Sequence, residues 1–273
     1  MDRGLSRAAV AVRLLVLLVF LLPVALAVTG SLRRLGLPPP SGLELLPGDP
    51  SLSSYRDLGD RVPLGLLLRN SVIVTAVAVP LTVLLASWAG FAMAQLPHRQ
   101  RRLLVGLAIG LLLVPLPMLW IARFALYLEL GMLDTLLPLI APALAATTPF
   151  TVLLAYRAFR QVPAEQWEAA RLEGASAVRT WRQVGLPQVR ATTTAIAAIA
   201  FVFHWGNYLD ALLYAQFEDV RTLPVGLAEL IDLDGSDQPV VFAAVVLLAG
   251  PALAALLLLQ RSLLGSRDLA GRR

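Results

Sequence analysis

Six long apolar stretches, at roughly residues 12–32, 66–94, 103–122, 135–156, 191–214 and 240–261, constrain this chain more than any other feature. About 20 mostly apolar residues are enough for a helix to cross a bilayer. Lipid offers no partner for backbone N–H and C=O groups, so a spanning segment must be a helix or part of a closed barrel. The 273-residue chain is 58% hydrophobic and 15% charged, with a mean hydropathy of +0.73. That leaves too few polar side chains to cover a water-soluble domain of this size. The expected fold class is all-α: a polytopic membrane protein with six transmembrane helices. The second stretch is long enough to require tilt. Pro115 and Pro117 predict a kink or break in the third.

Orientation follows from the arginines, which account for all 23 basic residues. Segments 1–13, 98–102, 157–190 and 261–273 carry 16 of them against five acids; the remainder of the chain carries seven against 13 acids. Basic loops stay in the cytoplasm, which places both termini there. The sequence pI near 10.4 therefore reads as membrane topology and not as a nucleic-acid surface. Ala25-Leu26-Ala27 looks like a signal-peptide cleavage site, but the apolar run continues to about Leu32, and a retained first span is expected. The expected organisation is an N-terminal helix and extracytoplasmic loop (1–65), a core (66–261) with a cytoplasmic loop (157–190), and a cytoplasmic tail (262–273). The absence of cysteine excludes disulfides, thiolate metal sites and a thiol nucleophile.

The cytoplasmic loop holds the most specific pattern. Residues 168–187 read EAARLEGASAVRTWRQVGLP, with Glu168-Ala169-Ala170, then Gly174, then Val184 and Leu186-Pro187. Pro163 opens a helix and Gly174 ends it by tolerating the left-handed conformation. Ser176 is placed to cap a second short helix, with Trp181 and Val184 on its apolar face and Arg179 and Arg182 on the other. This spacing resembles the coupling loop of permease subunits of ABC importers of type I. The consensus there has Ile at the position of Val184 and Asp at that of Glu173; Pro often stands where this chain has Ala191.

The resemblance implies that the loop forms a knob seated in a cleft of a nucleotide-binding subunit. Glu168 would meet a basic residue of that partner, Ala169 and Ala170 would pack in the cleft, Gly174 would permit the bend, and Leu186 and Pro187 would close the motif. It further implies a homologous second permease subunit, two nucleotide-binding subunits, an extracytoplasmic solute-binding protein and a multi-pass location in the cytoplasmic (inner) membrane lipid. No cofactor is expected on this chain; ATP and Mg belong to the ATPase subunits.

Further stretches resemble the smaller membrane subunit of maltose-type carbohydrate importers. They are Asn70-Ser71, Gly90-Phe91-Ala92-Met93-Ala94, Phe159-Arg160-Gln161-Val162-Pro163, Trp205 and Thr222-Leu223-Pro224-Val225-Gly226-Leu227. A sugar or oligosaccharide is the solute so implied; a polyol, glycerol phosphate, amino acid or peptide are alternatives. Trp205, Asn207 and Tyr208 are candidates for a substrate pathway, against the plainer reading of interface aromatics. Asp234, Gly235, Ser236 and Asp237 form a loop tip that is either a binding-protein contact or a solvated turn. Arg123 and Glu129 are expected to pair at the surface.

Enzymatic chemistry has no footing. The chain has no lysine, so a Walker lysine is excluded, and ATP has to be handled by another polypeptide. His98 and His204 fall on opposite sides of the expected membrane, so no metal pair forms, and no catalytic residues are expected. An ion-coupled secondary transporter needs ionisable groups inside the spans, and the interiors of the second, fourth and sixth stretches show none.

Overall fold

The structure, a computed structural model, describes residues 7–36, 48–233 and 237–264. Regular structure among these residues is helical. In chain order the helices are α1 (Arg7–Ser31), α2 (Ser53–Arg61), α3 (Leu64–Gln95), α4 (His98–Leu112), α5 (Leu116–Glu129) and α6 (Leu137–Ile140). A 3-10 turn (Ala141–Ala145) leads to α7 (Pro149–Phe159), α8 (Ala164–Leu172) and α9 (Ala177–Arg179). A wide turn (Thr180–Gly185) precedes α10 (Leu186–Gln188), α11 (Arg190–Trp205) and α12 (Leu209–Tyr214). After a short 3-10 turn (Glu218–Val220) come α13 (Leu223–Leu233) and α14 (Gln238–Leu264).

Four segments are long and apolar enough to cross a membrane: Ala9–Ser31, Leu64–Gln95, Leu137–Phe159 and Gln238–Leu258. Two bent pairs qualify together, α4 with α5 at 94° and Ala177–Gln188 with α11 at 87°, so the count rises to six if each pair is one span. Leu15, Leu18 and Phe20 of α1 are 64–75% exposed, and α4 buries none of its residues. For α1, apolar surface of that extent needs an apolar solvent, which lipid supplies.

The third stretch is broken at its prolines, as expected, but it runs beyond 103–122. It is two helices covering 98–129, because Pro115 forces the preceding residue out of the helical region and itself caps α5. The fifth stretch does not continue to residue 214: α11 stops at Trp205, and Gly206 to Tyr208 separate it from α12. Pro80 and Pro251, by contrast, sit inside unbroken helices.

The chain divides into two compact units, Met1–Leu64 with Gly226–Pro251, and Gly65–Val225 with Ala252–Arg273. In the described part of the first, the end of α1 is fastened by Ser31 Oγ to the Tyr55 hydroxyl at 2.8 Å. A Cβ on Gly30 would run into the Phe242 ring, so only glycine lets that ring sit on the helix. Arg61 pairs with Asp57 at 2.7 Å and with Asp237 at 2.6 Å.

The second unit has two cores. One gathers Ala86, Phe91, Phe159, Trp167, Trp181 and Ile196; the other gathers Val74, Leu139, Ala211, Ala215 and Val225. Gly90 makes the first possible, since a Cβ there would lie 2.6 Å from both the Ala155 Cβ and the Tyr156 backbone N. The second is tied down by polar groups at the start of α3. Asn70 Nδ2 donates to the carbonyls of Asp219 (2.8 Å) and Arg221 (2.9 Å), and the Leu223 N–H donates to Ser71 Oγ at 2.8 Å.

Candidate functional site

The loop between α7 and α11 is two helical pieces joined at Gly174. Pro163 caps α8, Glu165 lies in its first turn and Arg171 in its last, each matching the sign of the helix dipole. Gly174 has φ +70; its N–H donates to the Arg171 carbonyl, and the Ala175 N–H to the Ala170 carbonyl. This is a Schellman motif, which satisfies carbonyls that a helix end otherwise leaves orphaned. Nothing lies within 4 Å of a Cβ built on Gly174, so glycine is needed there for its backbone angle and not for space. Ser176 Oγ accepts from the Arg179 N–H at 3.3 Å and starts the second piece.

The two alanines of the motif part company. Ala169 is exposed beside Glu168, whereas Ala170 is buried against this chain itself. Leu186 is half-buried, and Pro187 is exposed in α10. Glu168 borders an open cavity of about 360 Å³ with Gln95, Arg101, Arg160 and Arg171, floored by Phe159 and Trp167. Arg171 Nη2 donates to Gln95 Oε1 at 2.8 Å, linking α8 to the end of α3.

An aromatic cluster fastens the loop to the helices above it. Trp181 meets Trp88, and Trp167 meets Phe91 at 5.6 Å; Phe91 in turn meets Phe159 at 5.6 Å. The i→i+5 turn at Thr180–Gly185 adds a residue to the helical repeat, and both Trp181 and Gly185 are buried in it. A Cβ on Gly185 would come 2.9 Å from Phe159 and 3.3 Å from Trp167.

The other predicted residues lie apart from this loop. Trp205 is buried and stacks on Phe201 at 5.7 Å, and Tyr208 packs on the second core. Asn207 Nδ2 donates to Asp210 Oδ2 at 3.0 Å, while its own Oδ1 accepts from the Asp210 N–H. Asp234, Gly235 and Ser236 lie outside the described residues; Asp237 is held by Arg61. Arg123 does not turn to Glu129 but to the buried Asp210, 4.0 Å away.

The sequence reading missed a change of backbone hand inside the fourth stretch. Ala146 and Thr147 have φ +55 and +63, a conformation that costs a non-glycine residue of order 1–3 kcal/mol. Thr148 is extended because Pro149 follows it. The strain is held by a buried relay. Thr147 Oγ1 lies 2.6 Å from Thr82 Oγ1 and 3.0 Å from His204 Nε2, and His204 Nδ1 lies 3.2 Å from the Leu139 carbonyl. Pro138, Pro142 and Pro149 were the available signal, since three prolines in a dozen residues do not make a regular helix.

Residues 82–263 match the family described as the binding-protein-dependent transport system inner membrane component. The chain belongs to this family. As such a membrane component it is a multi-pass transport subunit and not an ATPase, and it works with a binding protein. It is 28% identical over 193 residues to the probable ABC transporter permease protein YurM of Bacillus subtilis, covering 70% of this chain and 64% of that one. It is 29% identical over 226 residues to the diacetylchitobiose uptake system permease protein NgcG of Streptomyces coelicolor, covering 81% and 74%. A chain of a bacterial ABC transporter involved in the import of the acidic polysaccharide alginate has the same fold. It gives a TM-score of 0.76 at 20% identity, over 96% of this component and 98% of that chain.

Proposed function

We propose that this chain is one half of the membrane core of an ATP-driven sugar importer. Its loop at 157–190 serves as the coupling element to a nucleotide-binding subunit. The observation that carries the reading is the loop itself: a Schellman-capped helix presents Glu168 and Ala169 outward, while Trp167 and Trp181 anchor it to α3 and α7. A push on such an element moves the helices with it. Ala170 contributes by packing inward, so the partner's cleft receives Glu168, Ala169 and the Gly174 corner.

In this reading the chain has six spans with both termini in the cytoplasm, which agrees with the arginine distribution. It sits in the cytoplasmic membrane beside a homologous second permease subunit. Two nucleotide-binding subunits hold ATP and Mg, and an extracytoplasmic protein delivers the solute, with residues 234–237 at its contact. A carbohydrate solute is supported by the diacetylchitobiose permease among the relatives, together with the carbohydrate-type stretches at residues 70–71, 90–94 and 222–227.

The test is uptake by membrane vesicles carrying the complete importer and its binding protein, with radiolabelled diacetylchitobiose, trehalose and raffinose. Uptake of one of these that needs ATP and the nucleotide-binding subunits, and that resists a protonophore, supports the reading. Uptake that collapses with the proton gradient and ignores loss of the ATPase subunits contradicts it.

A further inference from the structure

We propose that the cavity beside the hand reversal at Ala146–Thr147 contacts the solute and takes one neutral, hydroxylated saccharide ring. The proposal rests on the importer reading above and adds a site to it. The cavity measures about 540 Å³, within the roughly 300–1,000 Å³ of small-molecule sites. Its walls are leucines of α4 and α5 with Met93 and Val152, and its polar lining is Arg123, Thr147 and Thr148.

Three independent features converge on it. First, irregular backbone within a membrane-spanning stretch persists only where protein buries it or where it lines a cavity, and interrupted helices mark solute sites in transporters. Here Ala146 and Thr147 are buried, and Thr147 and Thr148 face the cavity. Secondly, the Thr82–Thr147–His204 relay fixes the reversal in place, so its strained geometry is maintained rather than relaxed. The Thr148 side chain makes no capping hydrogen bond, which leaves its hydroxyl for another role.

Thirdly, Arg123 is the charged residue of the lining, and a charged group in an apolar stretch marks function. Its charge is balanced by Asp210 at 4.0 Å, which Asn207 in turn holds in place. The cavity therefore offers a planar set of N–H donors with little net charge. That favours sugar hydroxyls over a carboxylate. The leucine walls match the C–H faces of a sugar ring, with its hydroxyl edge turned to Arg123 and Thr148.

The chain contains no cysteine, so Ala145→Cys, at an exposed lining residue that makes no proposed contact with the ring, gives it a single thiol in the cavity. Labelling by a small methanethiosulfonate reagent is followed by the mass of this chain, in membranes holding the complete importer. The probes are trehalose, raffinose and diacetylchitobiose, with digalacturonate as the acidic comparison. At least one neutral probe slows labelling by the factor 1 + [L]/Kd, about fivefold at four times Kd. Labelling of Leu113→Cys, whose native side chain is 79% exposed, does not change. Protection is lost in Arg123→Gln, and also in Arg123→Gln with Asp210→Asn, which removes the balancing carboxylate and so avoids a lone buried charge. Equal labelling with and without every saccharide, while binding-protein-stimulated ATPase persists, overturns the site and leaves the importer reading intact. Protection by digalacturonate alone overturns the neutral-ring assignment, and protection that depends on lipid but not on saccharide assigns the cavity to an acyl chain. ATPase activity indifferent to any binding protein strikes at the importer reading instead.

Discussion

The indoles of Trp181 and Trp88 meet edge to face, with ring centroids 5.2 Å apart and planes at 89°. One ring belongs to the loop at 157–190 and the other to α3, so the contact joins the proposed coupling element to a long apolar helix. Trp181 is buried and the half-buried Trp88 packs against the same core, so this joint is more than a surface touch.

Trp181→Ala removes the larger part of that joint. Truncating a buried Trp costs about 3–5 kcal/mol, whereas Trp181→Phe keeps a ring and deletes an indole N–H that has no hydrogen-bond partner. Thermal unfolding of the purified complex should show a large loss for the alanine variant and a small one for phenylalanine. Solute moved per ATP hydrolysed should fall with alanine and recover with phenylalanine, while ATPase-subunit binding holds in both.

Gly90 and Gly106 separate close packing from helix propensity. An alanine methyl at Gly90 meets the backbone of α7 at 2.6 Å, a distance that forces α3 and α7 apart. Overpacking of this kind costs about 1–3 kcal/mol. Nothing lies within 4 Å of a Cβ on Gly106, so Gly106→Ala gains roughly 0.5–1 kcal/mol of helix propensity. Melting temperatures of the two variants should therefore move in opposite directions.

Thr147→Val keeps the shape and the strained backbone but removes the hydroxyl shared by Thr82 and His204. Each buried group left without a partner costs about 1–3 kcal/mol. Thr147→Ser should retain the relay and most of the stability, and Thr147→Val should lose it. Unfolding in detergent measures the difference.

The sequence revealed most where physical pattern is periodic or punctuated. Apolar length and arginine placement announced a membrane protein, and Pro163, Gly174 and Ser176 marked helix starts and stops where the structure has them. Asn70-Ser71 and the stretch beginning at Thr222 were notable only as a resemblance until the structure showed Ser71 accepting from the Leu223 N–H of that stretch and Asn70 donating to the carbonyls of Asp219 and Arg221 just before it. Long-range pairing was not legible. Nothing in the spacing of Arg123 and Asp210, or of Thr82, Thr147 and His204, says that the chain brings them together. Ala169 and Ala170 are adjacent and chemically identical, and only the helix phase decides which one faces out.

Gly174→Ala tests the corner of the loop separately from its packing. An alanine at φ +70 is strained by about 1–2 kcal/mol without meeting any neighbour. Glu168→Ala, at an exposed position, should change stability by less than about 0.5 kcal/mol. Both variants should leave the unfolding of the spans nearly unchanged and weaken co-purification of the nucleotide-binding subunits.

The most direct measurement places a thiol at Ala169, which is exposed, and at Ala170, which is 6% exposed, in this cysteine-free chain. Inside-out vesicles carrying the whole importer are treated with a short thiol-to-amine crosslinker. Ala169→Cys should join the ATPase subunit with a yield that changes when ATP is added, and Ala170→Cys should not react. Labelling of Ala169→Cys by a membrane-impermeant reagent applied to intact cells, with no crosslink from the inside, would contradict the account.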